Sequence, residues 1–446
     1  MRSNVGNIER SRAIALVILA LAASSCSRSL PTAPSASAVN SRVGADAFAT
    51  VGLENQVVVT LAHGVDAASL AVEFGAVLVN SEPNERTAAL RPVAGQTPAA
   101  LMAALAIDGR VETAEPNGWV QPAEARQQSF AFDDGFGAPQ TFAAQPSAAA
   151  LHLDTAHDIA TGKGVKVAII DTGADLKHPL LRDRIVGGWD FVDDDADPTD
   201  KRSTAADRNG TFNAAFGHGT HVAGIVHLVA PDAQLLIVRV LDANGRGDFV
   251  NVAAGVRWAI AHGAKVINLS LGVSGTGTIE VLQNVLEDPA NAGIIFVTAA
   301  GNQATNNVDF PGRSSSTLCV AAVDANGAAA PFSSFNHSDV ALSAPGVAVR
   351  STYPGGLYRM WSGTSMSAPF VTGAAALLAQ SHPAWGHDEM EARLTGTSRT
   401  IPIATLPIGA QQRDFGSGAL DIGAALAPDF VPGPNQTPAG EDIRPH

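Results

Sequence analysis

Four polar residues stand where apolar runs of this chain stop or where helix-like runs begin. Asp171 closes Val165-Lys-Val-Ala-Ile-Ile170, and His218 opens the segment Gly217-His-Gly-Thr-His-Val-Ala-Gly224. Asn302 follows Gly293-Ile-Ile-Phe-Val-Thr298 and Ala299-Ala-Gly301, and Ser365 lies within Ser362-Gly-Thr-Ser-Met-Ser-Ala-Pro369. A carboxylate, an imidazole, an amide and a hydroxyl are the parts of nucleophilic acyl transfer. The hydroxyl is a weak nucleophile, so an imidazole must take its proton, and a carboxylate must fix the imidazole tautomer and stabilise its charged form. An amide N–H and a backbone N–H at a helix start can meet the developing oxyanion. Ser362 and Ser367 need no such role, since small hydroxyl residues before an Ala-rich run read as helix caps. Pro369 reads as tolerable because it falls in or near the first turn. His218 with His221 does not read as zinc-binding, because no Glu-bearing His-x-x-x-His helix accompanies them.

These residues need elements to hold them. From about 149 the chain alternates strand-like runs (165–170, 235–241, 265–271, 293–298) with helical ones (249–261, 279–286). Such alternation predicts an α/β fold with a mainly parallel sheet covered on both faces, whose working site lies at the carboxyl ends of strands. Upstream, residues 51–122 read as β-α-β-β-α-β, a small α+β ferredoxin-like domain. Residues 123–148, rich in Gln, Ala, Gly, Ser and Phe without a period, read as an exposed linker, and 428–446 as a Pro-rich flexible tail.

The start of the chain carries Arg2, Arg10 and Arg12, an apolar run Ala13–Ala23, then Ser24 and Ser25, which is the layout of a secretory signal over 1–25. A Ser/Pro/Ala-rich spacer follows to about residue 50. Leu21-Ala-Ala-Ser-Ser-Cys26 resembles the bacterial lipoprotein cleavage signal apart from Ala23, so lipidation of Cys26 and ordinary cleavage near Ala22 both stay open. Cys319, the other cysteine, lies in an apolar segment, and no disulfide is expected. A net charge of −14 without a basic patch argues against a nucleic-acid partner.

The four segments, taken in the order Asp, His, Asn, Ser, resemble those of the subtilisin-type serine proteases, over roughly 149–427. The resemblance implies a three-layer fold, endopeptidase activity, a catalytic triad of Asp171, His218 and Ser365, and Asn302 as side-chain donor of the oxyanion hole. It also implies substrate-holding edges at Gly245, Arg246, Gly247 and at Ser270, Leu271, Gly272. The pocket for the residue before the cleaved bond would be completed by Ala300 and Gly301, with Asp309 near its floor, favouring Arg or Lys there. The β-α-β-β-α-β domain becomes an inhibitory propeptide, the chain's own intramolecular partner, with self-cleavage between 121 and 148. The other partners are protein or peptide substrates, and a monomer is expected, secreted or tethered to the cell envelope by a lipid.

Family members carry a calcium-wrapping insertion between the histidine helix and the next strand; Gly224–Pro231 runs straight across with no room for it. Trp189-Asp-Phe-Val-Asp-Asp-Asp-Ala-Asp-Pro198 instead resembles the acidic loop of thermitase-type relatives, which makes Asp190, Asp193, Asp195 and Asp197 candidate ligands of a structural Ca²⁺. A solvated acidic loop is the competing reading. An esterase of the α/β-hydrolase type fails on motif and chain order. A non-enzymatic relative would usually have lost a triad member.

Overall fold

The computed structural model describes residue 53 and residues 55–428, apart from 83–85, 128, 205–211, 276 and 408. The signal, Cys26, the spacer and nearly all of the tail lie outside the described residues.

The first domain is a four-stranded antiparallel sheet of β1 (Val57–Leu61), β2 (Ala76–Ser81), β3 (Thr87–Pro92) and β4 (Val111–Pro116), in the order β2-β3-β1-β4. Two helices, Ala67–Glu73 and Pro98–Leu105, complete it. Their starts are set by local chemistry: Asp66 accepts from Ser69 N at 2.9 Å, Thr97 accepts from Ala100 N at 3.1 Å, and Pro98 has no N–H to satisfy. The period of two divides the central strand between two cores. Val57, Val59 and Leu61 pack under the domain's own helices. Val58, with Ala89 of β3, joins the cluster built around Phe249, Val250 and Ala253 of the following domain.

That larger domain is organised by a parallel sheet in which seven strands are described, ordered β13-β12-β11-β10-β6-β8-β7. They are β6 (Lys166–Asp171), β7 (Ile185–Asp190), β8 (Gln234–Arg239), β10 (Val266–Leu269), β11 (Ile295–Ala299), β12 (Thr317–Val323) and β13 (Val340–Pro345). Both faces are buried, which is why the strands read as continuous apolar runs. Val167 and Ile169 enter the core with helices His218–Val229 and Thr364–Ser381, while Ala168 and Ile170 enter the one with Phe249–Ala261 and Glu280–Leu286. Two small pairs flank the site: β5 (Trp119–Val120) on β9 (Gly247–Asp248), and the hairpin of β14 (Val349–Tyr353) with β15 (Leu357–Trp361). The fold is the expected three-layer α/β arrangement preceded by an α+β domain.

The expectation of an exposed linker over 123–148 does not hold for its beginning. Ala123–Arg126 forms one helical turn whose Ala123, Glu124 and Ala125 are buried, and Phe142 of the Pro139–Ala143 turn is buried as well. The segment lacks a period because it follows the surface of the larger domain and takes its burial from that surface.

The two domains meet through polar contacts as well. Arg257 donates to Glu82 at 2.9 Å and Thr87 at 2.6 Å, and Asn80 donates to Asn251 at 2.8 Å. Glu115 accepts from the N–H groups of Glu280 at 3.0 Å and Val281 at 2.7 Å, capping a helix of the partner domain. Burial pushes the Glu115 carboxyl up from 4.5 to about 7, against the pull of those N–H groups. A carboxyl raised in the folded state stabilises it most at low pH, and the contribution is lost as pH rises through the folded value. The full-length Ser365→Ala protein should therefore lose melting temperature between pH 4.5 and about 7 relative to its Glu115→Gln derivative. Parallel melting curves over that range would contradict the assignment.

Candidate active site

β6 delivers Asp171 to its carboxyl end, and His218 is the first residue of the His218–Val229 helix. The ring Nδ1 of His218 lies 2.8 and 2.9 Å from the two carboxylate oxygens of Asp171, with both side chains fully buried. Glycine makes this approach geometrically open: a Cβ on Gly219 would stand 2.1 Å from the Gly173 carbonyl oxygen and 3.0 Å from Asp171 Cβ. Behind the pair, Thr172 and Thr220 donate to the buried Asp200 at 3.3 and 3.0 Å, and Thr172 Oγ1 accepts from Gly219 N at 3.0 Å. Burial pushes Asp200 up to about 7. For His218 burial acts to lower the pKa, but the carboxylates of Asp171 and Glu124 outweigh it and push the ring up to about 10. Burial holds His221 down at about 3, where its Nε2 lies 3.2 Å from the Arg359 carbonyl oxygen, so it is a neutral packing residue. Asp175 anchors turns, accepting from Lys177 N at 3.0 Å and Gly355 N at 2.9 Å.

Ser365 is the second residue of helix Thr364–Ser381, whose N-cap is Gly363. The cap reading of Ser362 is replaced by another contact, its hydroxyl accepting from Ala348 N at 2.8 Å. Pro369 also departs from expectation, lying inside the helix beyond its first turn. Proline there has no N–H for the carbonyl four residues back, which is that of Ser365. The Ser270 hydroxyl supplies the missing bond, donating to Ser365 O at 3.0 Å.

Asn302 is turned by its own acceptor: Oδ1 receives Thr364 N and Thr364 Oγ1, both at 2.9 Å, leaving the Nδ2 donor to face the serine. In the position it faces lies the carboxylate of Glu124. Asn302 Nδ2 donates to Glu124 Oε1 at 2.8 Å, and Ser365 N donates to the same oxygen at 3.3 Å. Ser365 Oγ donates to Oε2 at 2.5 Å, and His218 Nε2 stands 3.5 Å from it. Burial would raise the Glu124 carboxyl, but the charge and hydrogen bond of His218 and the donors Ser365 and Asn302 outweigh it and hold the carboxyl below its usual range. Donors that converge on a carboxylate would equally receive an oxyanion.

The residues around Glu124 lie along both substrate-holding edges expected from sequence. Trp119 and Val120 pair antiparallel with Asp248 and Gly247, and Gln121 exchanges two backbone hydrogen bonds with Gly272 at 3.0 and 3.1 Å. Gly245 packs against Pro122 and Ala125, and Arg246 pairs with Asp242 at 2.9 Å. Ser270 offers its carbonyl oxygen to Ser365 Oγ at 3.3 Å, while Leu271 is buried in the core. Ala300 accepts from Asp309 N at 3.0 Å, holding Asp309 beside Gly301, and Arg126 forms an ion pair with Asp309.

The acidic loop is arranged otherwise than a cation cage. Asp190, fully buried, pairs with Arg239 at 2.6 Å and Lys201 at 3.0 Å; Asp193 pairs with the same two at 2.8 and 2.9 Å. Lys201 stands 3.9 Å from Asp195, and Asp197 accepts from Thr199. Among the described residues no three His, Cys, Asp or Glu are grouped to hold a metal ion. With Lys201 in place, this donor set does not fit calcium.

Glu124, Arg126 and Asp200 were missed from sequence. The first two lie in a segment with no motif, and Asp200 lies just beyond the acidic loop, although its carboxylate accepts from Thr172 and Thr220 behind the Asp171–His218 pair. Alternating buried and exposed residues do not occur in a one-turn helix, so no pattern could have signalled Glu124.

Comparison with known proteins gives two family matches: the subtilase family over residues 162–418 and the fervidolysin N-terminal prodomain over 52–117. Thermitase of Thermoactinomyces vulgaris is 43% identical over 239 residues, 51% of this chain and 80% of that protein. A thermostable alkaline protease of Halalkalibacterium halodurans is 38% identical over 274 residues, 59% of this chain and 68% of that one. The crystal structure of fervidolysin from Fervidobacterium pennivorans, described as a keratinolytic enzyme related to subtilisin, superposes with a TM-score of 0.65 at 25% identity, covering 84% of this chain and 61% of that one.

Proposed function

Because the chain belongs to the subtilase family of serine peptidases, made here with an N-terminal prodomain, we propose a mechanism in which Ser365 is the nucleophile, His218 the general base, Asp171 its orienting carboxylate, and Asn302 with Ser365 N the oxyanion hole. The observation that carries it is the convergence of Asn302 Nδ2, Ser365 N and Ser365 Oγ on one carboxylate beside the buried His218–Asp171 pair. With that carboxylate gone, Ser365 Oγ attacks the scissile carbonyl carbon and its proton passes to His218 Nε2. Asp171 keeps Nδ1 protonated and stabilises the imidazolium. The carbonyl oxygen, now charged, lies between Asn302 Nδ2 and Ser365 N. His218 returns the proton to the departing amine, and water repeats the sequence on the acyl-serine. The pairing of 119–121 with Gly247 and Gly272 supports the reading that an extended peptide is gripped through its main chain.

The same contacts support the prosegment as an intramolecular inhibitor, with Glu124 as its stopper. Its carboxylate takes both oxyanion donors and the serine proton, so Ser365 cannot hand that proton to His218. Release requires the turn Ala123–Arg126 to open, and the processing bond then falls between 121 and 148. Replacing one partner of a buried, hydrogen-bonded charge cluster costs several kcal/mol, so Glu124→Ala should shorten the half-time of self-processing by about ten-fold or more. An unchanged or longer half-time on a denaturing gel would remove Glu124 from this role.

The signal at the chain start supports export, with Cys26 as the point of a lipid anchor; metabolic labelling with radioactive palmitate that misses the wild type would exclude the anchor. Calcium at the acidic loop requires Lys201 to leave Asp190, Asp193 and Asp195, and Arg239 to leave Asp190 and Asp193, before these and Asp197 could hold one ion. A melting midpoint indifferent to chelator excludes it. The peptidase mechanism itself is tested by sulfonyl fluoride labelling: Ser365 of the processed protein should be modified, and Ser365→Ala should stay full-length while folded. Losses known for serine proteases of this and the chymotrypsin type, carried over here, set the scale for the neighbours. Asn302→Ala should lower kcat on the order of 10² to 10³, and Asp171→Asn about 10⁴. A smaller loss at Asp171 than at Asn302 would contradict the roles assigned.

A further inference from the structure

We infer that the enzyme selects arginine as the residue before the cleaved bond, and that Asp309 determines this choice; the inference rests on the peptidase mechanism above. Asp309 is only 4% exposed, and it lies in the pocket between the two glycines of the cleft walls. A Cβ on Gly301 would come within 2.7 Å of its Oδ2, and a Cβ on Gly272 within 3.1 Å of its Cβ, so both walls leave room there only by lacking side chains. The pocket is filled by a guanidinium. Arg126 enters it from the prosegment turn, forming an ion pair with Asp309 through Nη2 and donating through Nη1 to Gly272 O at 2.6 Å and Gln121 O at 3.2 Å.

This occupant leaves with the prosegment, and Asp309 does not. Arg313, whose charge also acts on Asp309, is committed to the carbonyl oxygens of Gly275 and Gly277. The processed enzyme is left with a carboxylate at the head of an open pocket and no guanidinium on it, its remaining side-chain partner being Gln303. Covering such a group with a side chain that brings no charge is unfavourable. A substrate arginine repeats the arrangement of Arg126, with one N–H group on Asp309 and another on the Gly272 carbonyl. Lysine brings a single compact charge and cannot span the two acceptors in the same way. Phenylalanine or leucine covers the carboxylate with apolar surface and brings it no cation, leaving Gln303 as its side-chain partner.

The test uses the self-processed enzyme and peptides identical except before the scissile bond. From the cost of leaving one member of a buried charge pair alone, kcat/KM for arginine should exceed that for phenylalanine by about 30-fold or more, with lysine between. Asp309→Asn should abolish most of that ratio by lowering the arginine value while the phenylalanine value stays within a few-fold. Should Asp309→Asn fail to process, the wild type still decides: benzamidine, a planar guanidinium-like cation, should inhibit competitively, and uncharged benzamide should not. Hydrolysis after phenylalanine as fast as after arginine, or equal inhibition by the two probes, overturns the inference and leaves the peptidase mechanism standing. Failure to cut any peptide overturns both.

Discussion

The buried hydrogen bond between His218 Nδ1 and Asp171, 2.8 Å long, is the constraint on which the rest of the site depends. A carboxylate and an imidazole without water around them are tolerable only as a pair, and Asp171 Oδ1 gains further support from Thr172 N at 2.7 Å. That demand explains the crowding behind them. Gly219 lets the helix start come close, Thr172 and Thr220 tie it to Asp200, and Asp200 is itself buried among those hydroxyls. The parallel sheet supplies the rigid edge from which all of this is hung, β6 holding the aspartate by two neighbours at its centre.

The serine side is built on a different compensation. A proline inside the Thr364–Ser381 helix removes the N–H that the Ser365 carbonyl would otherwise receive, and Ser270 donates in its place. Ser270 belongs to the loop that also grips the prosegment through Gly272. The Thr364–Ser381 helix and the loop that holds the prosegment are therefore joined at Ser270, through its hydroxyl and its carbonyl oxygen.

Much of this was legible in the sequence because it is carried by local chemistry. Asp171, His218, Asn302 and Ser365 stand at or near ends of elements with strong patterns, and β6, β8, β10 and β11 are mostly apolar since both sheet faces are covered. β12, β13 and the β14–β15 hairpin were not foreseen: Thr317–Val323 is short and apolar, a run that could equally be buried helix. Glu124 and Arg126 were invisible for a deeper reason, since what gives them meaning is the surface they lie on rather than any pattern of their own. The acidic loop shows the converse. Its aspartates looked like ligands by type and spacing, but Lys201 and Arg239, one outside the motif and the other on β8, already neutralise them.

Strand β1 sends Val57, Val59 and Leu61 to one core and Val58 to another. The second of these cores is thus completed by a domain that processing later separates from it. The chain folds with more apolar contact than the finished enzyme keeps, and the scaffold in this sense is temporary. Once it has gone, the persistence of the enzyme depends on the height of the barrier to unfolding, because the route by which it first reached its structure is no longer encoded in the molecule that remains.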